Sequence, residues 1–184
     1  HGLVCTVANG PGPIPDGWNR PALHDKLVAE GERLLPLVAQ AGIGQMIVFS
    51  GNRRGMGDGE GIANCVAGLK RLLPAAERHG VTLVMEMLNS KVDHKDYHAD
   101  RTAWAVEVAK GLGSGRFKLL YDIYHMQIME GDVVRTIQTY APFIAHYHTA
   151  GVPGRHELDE DQELYYPKIA RAIAATGFTG FVAH

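Results

Sequence analysis

Residues 117–148, "FKLLYDIYHMQIMEGDVVRTIQTYAPFIAHYH", decide the fold. An apolar run rich in Leu and Tyr carries Asp122 towards its end. A helical stretch follows over Val133–Tyr140, and a second apolar run, Phe143–His148, ends in histidine. Two strands joined through a helix need a crossover, and so they lie parallel. The pattern recurs outward in both directions. Strand-like runs begin at Gly2 ("GLVCTVAN"), Gln45 ("QMIVFS"), Val81 ("VTLVMEML") and Phe178 ("FTGFVAH"). Helical segments are predicted over Ala22–Ala41, Gly59–His79, Ala99–Gly111 and Leu164–Thr176, several of them stopping at a glycine such as Gly42, Gly80 or Gly177.

Such alternation predicts an α/β chain with a parallel sheet buried on both faces. No GxGxxG or GxxxxGK[ST] follows a strand, which favours a closed (β/α)8 TIM barrel over an open nucleotide-binding sheet. A complete barrel takes about 250 residues. Six strands and five helices in 184 residues leave about two βα units to be expected ahead of His1 and a tail beyond His184. No linker interrupts the pattern, so residues 1–184 are read as a single partial-barrel domain.

With 46% hydrophobic and 21% charged residues, the composition is that of a globular chain. The net charge of −2 and the absence of a basic block argue against nucleic acid and for a small-molecule substrate. No apolar run approaches the roughly 20 residues of a membrane span. Cys5 and Cys65 form neither a CxxC pair nor a disulfide framework, which suits a reducing cytoplasmic setting.

In a barrel, chemistry sits at the C-terminal ends of the strands. That selects Glu86, Asp122 and His148, with His125 just beyond Asp122 and Arg155 in the loop after "GVPG". A carboxylate inside an apolar strand carries a heavy desolvation cost unless a cation accompanies it. One such residue alone is as readily a structural ion pair. Three at neighbouring strand ends point to a divalent metal held by two carboxylates and an imidazole, a donor set suited to Mn²⁺, Mg²⁺ or Co²⁺. His125 reads either as a substrate contact or as a solvated loop histidine, and Arg155 either as a carboxylate clamp or as half of a surface salt bridge. His146 shares the face of His148 and is expected to support it. The other histidines, including His24, His79, His94, His98 and His156, are expected to be mostly solvated. "GNRRGMGDGEG", residues 51–61, reads as a flexible loop over the barrel mouth, and Trp18 as a cap on the site or an oligomer contact.

The segments "LVMEMLN", "YDIYHMQIMEGD" and "IAHYHTAGVPGRHE", together with "ELYYPKIARAIAATGFTGFVAH", resemble the hydroxypyruvate isomerase family of the xylose isomerase-like TIM barrels. The resemblance runs from about Gly2 to the end and rests on D-x-x-H-x-Q before a GD turn and on V-P-G-R after the histidine strand. It implies that Glu86 both ligates a metal, Mn²⁺ or Mg²⁺, and transfers a proton. Asp122 and His148 would be further ligands, and His125 and Arg155 would contact substrate. The reaction implied is interconversion of hydroxypyruvate and tartronate semialdehyde, or of a related small 2-oxo acid, through an enediolate. The family's second catalytic glutamate falls just after the position of His184, where this sequence stops. Related barrels associate through their helices, so a homo-oligomer is expected. The alternatives are a ketose 3-epimerase, a metal-dependent endonuclease and a binding relative without activity. The epimerases usually carry an acid in the loop after the strand glutamate, where this chain has Lys91 and Val92.

Overall fold

A computed structural model of the chain describes residues 2–184. Six strands form one sheet in sequence order, every pair parallel: β1 (Ala8–Asn9), β2 (Gln45–Val48), β3 (Thr82–Glu86), β4 (Phe117–Asp122), β5 (Ile144–His148) and β6 (Phe181–Ala183). The helices are α1 (His24–Gln40), α2 (Asp58–His79), α3 (Thr102–Leu112), α4 (Ile123–Met129), α5 (Val133–Tyr140) and α6 (Tyr166–Ala175). α5 occupies the span predicted for it, and the other predicted helices lie within a few residues of theirs. None of the helices is long and apolar enough to cross a membrane.

Two departures from the sequence reading have local causes. The first strand shrinks to two residues because it pairs only through Ala8↔Met46 and Asn9↔Ile47, which leaves Leu3 and Val4 exposed. The "YDIYH" run breaks at Asp122, whose carboxylate caps α4 by accepting the His125 backbone N–H at 3.2 Å. A helix therefore replaces what reads as more strand.

Period-two alternation divides the core. On one face Leu83, Met85, Leu119, Tyr121 and Tyr147 pack in the large cluster that includes the helices. On the other, Ile47, Val84 and Leu120 form a small separate cluster against Val7, Phe49 and Ala145. The sheet curls around this second face. Gln45 on β2 donates to the Ala145 carbonyl on β5 at 2.8 Å, although three inter-strand steps of about 4.8 Å would separate those strands by roughly 14 Å in a flat sheet. Outside the sheet, α1 and α2 interlock at glycines. A Cβ on Gly31 would lie 2.8 Å from Leu72, and one on Gly68 would lie 2.6 Å from the His24 ring.

Candidate metal centre

β3, β4 and β5 each end on a polar residue, namely Glu86, Asp122 and His148. The register pairs Glu86 with Leu120 and Asp122 with His148, and Leu120 and Asp122 share a face two residues apart. All three side chains therefore turn to the inner, curled face. One ligand atom from each lies within 4.8 Å of the others. Ligands held about 2.0–2.6 Å from a divalent ion stand roughly 3–5 Å apart, so two carboxylate oxygens and an imidazole nitrogen at this spacing fit one hard cation.

The electrostatics favour a cation there. Glu86 and Asp122 are both buried. His148 Nδ1 stands 3.2 Å from Glu86 Oε1 and 3.9 Å from Asp122 Oδ2. Burial, followed by the charge of Glu86, raises the Asp122 carboxyl to about 6 despite Arg155, the His125 N–H and His148. Its guanidinium partner comes from the loop after β5: Arg155 Nη2 lies 3.3 Å from Asp122 Oδ2. The same guanidinium lies 5.2 Å from the centre of the Tyr124 ring, and its Nη1 is 2.9 Å from His125 Nε2. Arg155 is thus drawn into the site, not spent on a surface pair. His125 lies in the first turn of α4 with no exposed surface, so the solvated-loop alternative falls. Burial first, then Arg155 and His94, push its pKa down to about 3 and keep the ring neutral.

All five residues singled out in the sequence therefore meet at one place. His146 lies beside them, buried, its ring 5.1 Å from that of His148 and nearly perpendicular to it, but it is outside the donor trio. Neither of its ring nitrogens has a hydrogen-bond partner among the described residues, and burial, then His148, lowers its pKa to about 4.

Several neighbours escaped the sequence reading. Asn89 and Tyr124 both hydrogen-bond the Asp93 carboxylate at 2.7 Å, and Asn89 also reaches His125. The loop after β3 thus does carry an acid, Asp93, but its carboxylate is engaged behind His125. Burial opposes its charge, yet those two hydrogen bonds and the nearby histidines hold its pKa below the ordinary value. The nearby Lys91 caps carbonyls of α4 at Ile128 and Met129. Only the E-x-x-N spacing hinted at Asn89.

Other expectations require correction. Trp18 is fully buried in the core beside His24, so it neither covers the site nor offers a contact. His24 and His98 are buried, not solvated: His24 pairs with the Trp18 carbonyl, and His98 with Asn19. The 51–61 loop is tied down. Arg53 and Arg54 pair with Asp58 and Asp16, and the Arg53 N–H donates to the Asp96 carbonyl. Asp58, opening α2, also accepts from Arg101 at 3.0 Å and lies 3.4 Å from His98.

A parallel α/β sheet curling towards a barrel, with a candidate carboxylate–carboxylate–imidazole donor set at its C-terminal strand ends, defines the class of TIM barrels. The chain matches the xylose isomerase-like TIM barrel family over residues 1–184 and belongs to it. Among similar proteins, 2-oxo-tetronate isomerase of Cupriavidus necator is 35% identical over 108 residues, which cover 59% of this chain and 41% of that protein. Hydroxypyruvate isomerase of Escherichia coli is 29% identical over 120 residues, covering 65% of this chain and 46% of that one. The matched segments thus span less than half of either relative. The crystal structure of an AP endonuclease, family 2, from Brucella melitensis superposes with a TM-score of 0.87 over 97% of this chain and 70% of that one. At 24% identity, that likeness speaks for the fold alone.

Proposed function

We propose that the protein is an isomerase that moves a proton between adjacent carbons of a small 2-oxo-3-hydroxy acid, with hydroxypyruvate and its four-carbon analogue as the leading candidates. The observation that carries this reading is the placement of the Arg155 guanidinium 3.3 Å from Asp122, at the edge of the donor trio. A fixed cation beside such a trio suits a substrate with a carboxylate next to its reacting carbonyl. The relatives named hydroxypyruvate isomerase and 2-oxo-tetronate isomerase act on acids of this class by name.

Glu86, Asp122 and His148 would hold the divalent metal, Mn²⁺ or Mg²⁺ being the expected ions. When bound, the metal supplies Lewis acidity to the substrate's carbonyl and hydroxyl oxygens. Arg155 grips the acid end, and His125 holds a substrate oxygen. Glu86 removes the C3 proton of hydroxypyruvate, the C3 hydroxyl proton passes to the C2 oxygen, and a proton delivered to C2 completes tartronate semialdehyde.

The test is to strip the protein with chelator, restore Mn²⁺ or Mg²⁺, and follow hydroxypyruvate in D₂O by proton NMR. Metal-dependent product carrying deuterium is the expected result. Absence of both conversion and exchange for hydroxypyruvate and its four-carbon analogue would overturn the proposal.

A further inference from the structure

Asn89 is buried, and every hydrogen-bonding position of its side chain is in use. Oδ1 accepts the backbone N–H groups of Val92 at 3.0 Å and Asp93 at 2.8 Å. Nδ2 donates to Asp93 Oδ2 at 2.7 Å, and the Tyr124 hydroxyl donates to that same oxygen at 2.7 Å. The amide therefore cannot turn over. A flip would set Oδ1 against a carboxylate and Nδ2 against two N–H donors. The remaining Nδ2 hydrogen points at His125 Nδ1, 2.7 Å away, and the Asn89 backbone N–H points at the same nitrogen from 3.2 Å.

The amide and backbone N–H groups of Asn89 only donate, so Nδ1 of His125 faces two donors on a buried residue and is best served as an acceptor. In a neutral imidazole the proton must then lie on Nε2. Nε2 faces Arg155 Nη1 at 2.9 Å, and a guanidinium also only donates. Two donors therefore confront each other at the rim of the donor trio. Of the two sides the Arg155 side can give way, because its side chain is half-exposed while Asn89 is buried with its amide fully engaged.

We infer that Asn89 is a positioning residue that fixes His125 as the Nε2–H tautomer, so that His125 meets the substrate as a hydrogen-bond donor and not as a general base. Asp93 and Tyr124 brace Asn89 from behind. His125 then offers its N–H to the substrate oxygen on which negative charge builds, and proton removal is left to Glu86. The role in turnover rests on the isomerase reading, whereas the tautomer does not.

The experiment is a long-range ¹H–¹⁵N correlation spectrum of the whole protein labelled at histidine, without substrate, with His125 assigned from the signal lost in His125→Gln. The expected pattern has a pyridine-like Nδ1 and a pyrrole-like Nε2. A protonated Nδ1 in the wild type would overturn the inference, whatever any variant does. The exchanged pair Asn89→Asp with Asp93→Asn keeps one amide and one carboxylate but presents an oxygen to Nδ1. It should move a proton onto Nδ1 and lower kcat about ten- to a hundredfold with little change in KM. Wild-type kcat in that pair, once its spectrum has changed, would refute the donor role. A wild type with the expected spectrum and no isomerase activity would sink the isomerase reading and leave the tautomer standing.

Discussion

The acids and histidines gathered around Asp58 and those around Asp122 differ in how their charge is balanced. Asp58 faces two arginines, Arg53 and Arg101, together with His98, and its side chain keeps 44% of its exposure. Burial opposes its charge, but Arg53, Arg101 and His98 outweigh that, and its pKa lies below the ordinary value. Glu86 and Asp122 share one half-exposed arginine and the His148 imidazole, and Asp122 is pushed the other way, up to about 6. The first cluster is complete in itself and ties loops together. The second sets two buried carboxylates beside that single arginine and one imidazole, an arrangement that favours a further cation. Residue types alone do not separate the two; the count of opposing charges does.

The largest effect should come from Glu86→Gln, which keeps the shape and removes the base. Deuterium exchange into hydroxypyruvate should fall about 10²–10⁴-fold, the range of general-base loss, with an unchanged circular dichroism spectrum. Exchange at the wild-type rate would remove Glu86 from the mechanism and with it the contrast between the clusters. Next, Asp122→Asn should weaken Mn²⁺ binding at least about tenfold by calorimetry, while Asp58→Asn leaves it alone. Equal losses in the two variants would erase the distinction.

Arg155→Ala should raise KM for hydroxypyruvate roughly tenfold or more, the worth of a charge-assisted pair, without abolishing Mn²⁺ binding. Metal affinity should also follow the Asp122 titration. Below about 6 the carboxyl holds a proton that the ion must displace, so affinity should drop by up to about tenfold per pH unit below that point and level off above it. Binding measured at pH 5 and pH 7.5 reads the slope. Asp58, with its pKa lowered, stays ionised throughout that window.

The smallest effect separates the clusters by stability. Asp58→Asn should cost about 1 kcal/mol, discounted for its exposure, or a few degrees of melting temperature. In chelator, Asp122→Asn should melt no lower than the wild type, because asparagine still caps α4 and one of two neighbouring buried carboxylate charges is gone.

The sequence by itself determined the alternation of strand and helix and the identity of the trio. Both rest on short periods: 3.6 residues along α5, and two along β3, β4 and β5, which turn Glu86, Asp122 and His148 to one face once their strands are parallel. Only the tertiary structure decided which charges are balanced and which histidines are buried. His98 meets Asn19 across 79 positions, Asn89 meets His125 across 36 and Arg155 meets Asp122 across 33. Even the end of β4 belongs with these, since Asp122 becomes a helix cap where apolar patterning alone would extend the strand. Such partners come from loops carried on different strands, and no local period relates them. They become neighbours only when the sheet curls and sets those loops side by side at one end of the strands.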